Sequence, residues 1–184
     1  LESDDRHAEL ASALRARINV TDDPERSAAL LCRLGRLYVE QLQEERKGMA
    51  CLRRAAELSP DNQEALLALA DRHFARQEWQ EAEDLYTRTV STVEVPRERS
   101  RICRRLGEIQ LGMDMPLAAL GSLQRVSEEE EEPTRETTQL LLRAARAARD
   151  AKAQGDALAQ LLSMVDEPDE RLALLKEGAR LMDE

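Results

Sequence analysis

A thiol flanked by guanidinium groups is the most reactive-looking arrangement in this sequence. Cys103 lies between Arg101 and Arg104, and nearby positive charge favours the thiolate that attacks electrophiles. A nucleophilic thiol also needs a base. The chain has two histidines, His7 and His73. His73 falls on the inward stripe of an apolar helix, where a packed structural imidazole is expected. Cys32, Cys51 and Cys103 form no C-x-x-C pair, and no His, Cys or Asp spacing suits a metal. Gly35, Gly48, Gly107, Gly112 and Gly121 are scattered through helical stretches, so no loop cradles phosphate. These residues predict no catalytic group, no metal ligand and no cofactor. Each cysteine is expected to be a small packing residue, a free thiol suited to a reducing cytosol.

Charge narrows the partners. With 27 basic and 37 acidic residues the formal net charge is −10. That disfavours nucleic acid, which is held by neutralising phosphates, and it disfavours anionic membrane surfaces. No apolar run is long enough to span a bilayer, and no signal peptide is visible. A cytoplasmic location is expected. Aromatic residues make up 2% of the chain against 42% hydrophobic. Such a core is built of Leu, Ala and Val between closely spaced helices.

What must position the side chains is a repeat. His7–Gly35 lies on Trp79–Gly107 without a gap, at an offset of 72 residues. Glu9 falls on Glu81, Leu14 on Tyr86, Ile18 on Val90, Pro24 on Pro96, and Leu34-Gly35 on Leu106-Gly107. Self-similarity of this kind in Ala- and Leu-rich sequence marks stacked helical hairpins. Apolar spacings of three and four predict helices almost throughout. The first four fall near Ser3–Asn19, Pro24–Gln41, Glu45–Leu58 and Gln63–Arg76. Glu78–Thr92, Pro96–Leu111 and one opened by Pro116 follow. Asp23 is a plausible N-cap, with Pro24 in the first turn. Glu128–Glu132 should help unwind a helix end, where acids oppose the dipole, with Pro133 completing the break. Thr134–Ala153 is expected as one helix, Gly155-Asp156 as a turn, and Ala157–Val165 as the return. A last helix follows over Asp169–Asp183.

The hairpin Gln63–Pro96 resembles the tetratricopeptide repeat (TPR), two antiparallel helices in about 34 residues. Leu66, Leu69-Ala70 and His73 fill the first-helix pattern; Ala82, Tyr86 and Thr89 fill the second. The preceding hairpin matches with Leu31, Leu34-Gly35, Tyr38, Gly48, Leu52, Ala55 and Pro60. The following one matches with Cys103, Leu106-Gly107, Ala119 and Leu123, with Gln110 where an aromatic is usual. A degenerate fourth has Leu141, Ala144-Ala145, Ala148, Ala157 and Leu161. The resemblance implies an all-α, right-handed superhelical array of antiparallel helix hairpins, a TPR-like α-solenoid. It divides the chain into repeats at 24–61, 62–95 and 96–133 and a degenerate one at 134–167. Residues 1–23 become the second helix of a preceding repeat and 168–184 the first helix of a following one, as expected of a piece of a longer array. Gly35, Ala70, Gly107 and Ala145 on first helices, and Gly48, Ala82, Ala119 and Ala157 on second helices, should permit close approach. Trp79 is expected to be buried.

By the same resemblance, first helices line a concave groove that holds a peptide or helical segment of another protein. The groove residues would be Cys32, Arg36, Val39 and Glu40; Glu64, Leu67, Asp71, Phe74 and Ala75; Arg101, Arg104, Glu108 and Leu111; and Gln139, Leu142, Arg146 and Arg149. The partner-binding residues named by this reading are Leu67, Asp71, Phe74, Arg101, Arg104, Leu111, Arg146 and Arg149, with the arginines facing an acidic or amphipathic segment. The clamp by which some TPR domains hold a chaperone carboxylate would fall on Cys32, Arg36, Ala68, Arg101 and Arg105. Only the last two keep its character, so that ligand is not expected. In style the array resembles a large bacterial motility or cell-polarity scaffold. The competing expectations are a regulatory or sensory segment of a larger enzyme or transcription factor, and a self-associating structural spacer.

Overall fold

The computed structural model describes residues 2–129 and 134–183. Among the described residues every regular element is a helix. The chain divides into two compact units, Leu1–Thr92 and Val93–Glu184. The first holds α1 (Glu2–Asn19), α2 (Pro24–Glu40), α3 (Glu45–Leu58), α4 (Gln63–Ala75) and α5 (Trp79–Val90). The second holds α6 (Pro96–Gly112), α7 (Pro116–Glu129), α8 (Arg135–Ala148), α9 (Ala151–Met164) and α10 (Pro168–Asp183). In each unit consecutive helices pair as hairpins: α2 with α3 and α4 with α5, then α6 with α7 and α8 with α9.

Four helices, α2, α4, α8 and α9, begin where a side chain supplies an acceptor for unpaired N–H groups. Asp23 accepts from the N–H groups of Glu25 and Arg26, Asn62 from Ala65, and Thr134 from Thr137. Among the described residues, four non-glycine residues have positive φ, namely Gln43, Gln77, Asp114 and Arg149. Each lies between the two helices of one hairpin. Beyond three of them, the N–H of Glu78, Met115 and Asp150 donates back to the carbonyl of His73, Gln110 and Ala145 respectively. This left-handed closure satisfies the last carbonyls of the first helix and turns the chain. No glycine serves here, so the hairpin turns carry no glycine signal.

One boundary differs from expectation. The helix anticipated over Thr134–Ala153 ends at Ala148, and Gly155 lies inside α9 rather than in a turn. Arg149 takes φ 56° and ψ 37°, and the Asp150 carboxylate caps α9 by accepting from the Ala153 N–H at 2.9 Å. A capping carboxylate outweighs the roughly 1 kcal/mol cost of a glycine in a helix interior. The acidic run Glu128–Glu132 and Pro133 fall largely outside the described residues; the backbone of α7 continues helical through Glu129.

Small residues set the seams. A Cβ on Gly35 would lie 2.9 Å from Leu52 Cγ and 3.1 Å from the Gly48 carbonyl oxygen. One on Gly48 would lie 2.8 Å from the Gly35 carbonyl oxygen. In the second unit a Cβ on Gly107 would lie 2.5 Å from Leu123 Cγ. Ala70, Ala82, Ala119, Ala145 and Ala157 are wholly buried. Leucines interdigitate around these contacts, as ridges meeting grooves require. Leu34, Leu37 and Tyr38 pack with Ala11 and Leu14 of α1, and Met49, Leu52 and Leu69 join α3 to α4. Ala119, Leu123, Leu141, Ala145, Leu158 and Leu161 fill the second unit.

Candidate partner-docking faces

In the first unit the exposed face is carried by α2 and α4, whose apolar stripes turn inward onto α3 and α5. Arg36 Nη1 meets Glu64 Oε1 at 3.0 Å and ties α2 to α4 across this face. Leu67 and Phe74 are half-buried. The Phe74 ring meets Trp79 edge-on, with centroids 5.6 Å apart and planes at 68°, a favoured aromatic geometry. Trp79, expected to be buried, is half-buried like Phe74. It sits at the first position of α5, beside the turn. A full-burial cost therefore does not apply to its truncation. Asp71 accepts the Tyr86 hydroxyl. That carboxylate braces α4 against α5 as well as lining the face.

His73 Nδ1 and Glu78 Oε2 are 2.5 Å apart, and Arg76 reaches Glu45 at 3.0 Å and Glu78 at 3.9 Å. The imidazole thus holds the α4–α5 turn rather than only packing inward. Cys32 is a correction: it is wholly buried instead of lining the face. It packs with Ala28, Leu31, Ala55 and Ala65, its Sγ 3.8 Å from Asn62 Oδ1. The reason is the width of the inward arc of α2, which meets both α3 and α4.

Burial pushes the Cys32 thiol up to about 11 from its ordinary 9.0; the Glu64 carboxylate adds to this and Arg36 opposes it. Burial raises Cys51 likewise, with Arg15 opposing. A thiol with a raised folded pKa stabilises the fold in its protonated form. Its contribution is whole below pH 9 and falls away as the pH rises towards 11. Urea unfolding of the parent and of Cys32→Ala should show the parent losing stability relative to the variant across that window. A constant difference would mean the thiol titrates alike in both states. Cys32 should also resist thiol labelling near neutral pH until the chain unfolds.

In the second unit the corresponding face belongs to α6, α8 and α10. Arg101 pairs with Glu98 on its own helix, at 2.6 and 3.1 Å, and Arg105 with Glu108 at 3.3 Å. Arg104 Nη1 lies 4.0 Å from Glu136 of α8. Arg146 binds Glu177 of α10 through Nε and Nη2, at 2.7 and 2.5 Å. Arg135 pairs with Glu170 of α10. Arg149 is exposed at the end of α8. Leu111 is half-buried against the unit's core. Leu142, expected on the face, is 4% exposed and part of that core, because α8 has packed helices on both flanks. Cys103, between its two arginines, is buried.

Ion pairs between successive first helices recur, as Arg36–Glu64, Arg104–Glu136, Arg135–Glu170 and Arg146–Glu177. Sequence reading missed these clasps. Their trace was an Arg and a Glu about one repeat apart, which no helix-local pattern displays. All four are at least partly exposed, and such pairs are worth about 0–1 kcal/mol. Among the described residues no three His, Cys, Asp or Glu side chains gather to hold a metal. No described helix is long and apolar enough to cross a membrane.

No family model matches the chain, and no curated protein matches it in sequence. Solved structures resemble it over most of its length. A mutant of MamA overlays with a TM-score of 0.68 at 15% identity, covering 87% of this chain and 88% of that one. YrrB, described as a TPR protein with an unusual peptide-binding site, gives 0.63 at 17% identity over 95% and 94%. PilW, described as a widely conserved type IV pilus biogenesis factor, gives 0.63 at 17% over 89% and 73%. The fold is therefore that of the TPR-type helical-hairpin proteins, all-α and built from antiparallel pairs.

Proposed function

We propose that this chain is a non-catalytic docking module that holds a peptide or helical segment of another protein on the faces of its first helices. In the first unit the contact residues are Leu67, Asp71 and Phe74; in the second they are Arg101, Arg104, Leu111, Arg146 and Arg149. The observation that carries this reading is the half-buried Leu67, one turn from Glu64 of the Arg36–Glu64 pair, with half-buried Phe74 further along the same helix. Apolar area next to fixed charge is the composition of a hot spot with a polar rim. YrrB, of the same fold, is described as having a peptide-binding site. The net charge of −10 favours protein over nucleic acid as partner. Buried free thiols go with a cytoplasmic location. A place in a bacterial motility or polarity assembly accords with the likeness to PilW.

Panning a displayed peptide library against the chain tests the reading. Enriched peptides should bind Phe74→Ala about tenfold or more weakly, the loss typical of a hot-spot aromatic. Arg104→Glu with Arg146→Glu should weaken peptides rich in carboxylates and flatten their salt dependence. Failure to enrich any peptide, or equal affinity for parent and both variants, would overturn it.

A further inference from the structure

The first helices of the two units differ in charge. α2 and α4 hold four arginines and four acids. α6 and α8 hold eight arginines against three glutamates, with no lysine or aspartate, in a chain of net charge −10. α8 lies between α6 and α10, with α7 and α9 packed behind it. The arc that it leaves open is therefore the docking face itself.

Five of the eight arginines are already matched. Arg101 pairs with Glu98, Arg105 with Glu108, Arg104 with Glu136, Arg135 with Glu170 and Arg146 with Glu177. A carboxylate from outside reaches these only in competition with an acid of this chain. Arg143, and Arg149 at the helix cap, differ. Both are exposed, and among the described residues neither has a carboxylate partner, so an incoming carboxylate displaces only water. With Arg146 they follow one another at three-residue spacing, and residues three apart are neighbours on a helix surface. Ala147 is exposed within this row and too small to hold a partner off. Ala148 adds half-buried apolar area next to it.

We propose that Arg143 and Arg149 read the carboxylates of an acidic helical segment of another protein, so that this unit selects its partner against the net charge of the chain. The inference rests on the docking reading above and names the partner chemistry of its second-unit face. Complementary charge across an interface sets register and excludes partners of the wrong sign. A dye-labelled helical peptide of Glu, Leu and Ala, and a twin with Lys in place of Glu, test it by fluorescence anisotropy with the full chain at low salt. Net charge alone favours the Lys twin; the arginine row favours the Glu peptide, which should bind more tightly. Arg143→Gln with Arg149→Gln should weaken the Glu peptide roughly fivefold, with the circular dichroism spectrum unchanged. Glutamine suits the left-handed cap, since Gln43 and Gln77 hold positive φ in other hairpin turns. Arg125→Gln, at an exposed site on α7, should leave the affinity as it was. A parent that binds neither peptide, a tighter Lys twin, a double variant equal to the parent, or an equal loss with Arg125→Gln would each overturn the proposal. The docking reading is judged apart from these outcomes, by the panned peptides and Phe74→Ala.

Discussion

Tyr86→Ala is expected to lower the unfolding free energy by about 3–5 kcal/mol, the range for truncating a large buried ring. Tyr86 is the largest of the fully buried side chains, at 0% exposure. It stands one turn beyond Ala82 on α5, filling the space that the small residue leaves open. Its hydroxyl donates to Asp71 across the hairpin. Truncation therefore opens a cavity and removes a charge-assisted hydrogen bond together. Tyr86→Phe separates the two, since it keeps the ring and deletes the bond. That variant should cost about 1.5–3 kcal/mol, the value of a hydrogen bond to a charged group. Urea unfolding followed by circular dichroism measures both. If Tyr86→Ala shifted the midpoint no more than Tyr86→Phe, the ring would not be bearing on the seam.

Two glycine-to-alanine changes should have opposite signs. At Gly48 the new methyl would meet Val39 Cγ2 at 2.4 Å and the Gly35 carbonyl oxygen at 2.8 Å. The valine can rotate, but the carbonyl belongs to the backbone of α2 and yields only if the helices part. Overpacking of this kind costs about 1–3 kcal/mol or more. The gain in helix propensity, about 1 kcal/mol, offsets part of it. Gly121, inside α7, has nothing within 4 Å of an added Cβ. There the propensity gain stands alone, and Gly121→Ala should stabilise by about 1 kcal/mol. Ala82→Trp extends the first effect, because Ala82 is wholly buried at the place Gly48 holds one hairpin earlier. It should melt the α4–α5 seam. Thermal and urea midpoints moving the same way for Gly48→Ala and Gly121→Ala would remove the claim that glycine spacing marks helix contacts.

The hairpins were legible because their causes are local. Pro24, Pro96 and Pro116 start helices, Asp23 and Asn62 cap them, and a 3.6-residue apolar period names the inward stripe. Small residues could be read as contacts because nothing larger fits between closely packed backbones, and Gly35, Gly48 and Gly107 bear that out. The misplaced α8–α9 turn came from trusting Gly155 over Asp150. A side-chain cap and a left-handed arginine did the work that glycine was expected to do.

The docking faces were legible only in outline. Cys32 and Leu142 sit on stripes that point outward from one neighbouring helix but inward against the next, so a single helix cannot reveal their burial. Arg101, Arg104 and Arg146 looked like open cations, and each has a carboxylate of this chain within 4.0 Å. Asp71, expected to meet a partner, accepts the Tyr86 hydroxyl. Sequence alone determined the helices, their hairpin pairing and the small-residue seams, since backbone capping and periodic burial depend on near neighbours in the chain. Tertiary structure alone decided which charges are already satisfied and which apolar side chains stay half-open, since those partners arrive from helices about one repeat away.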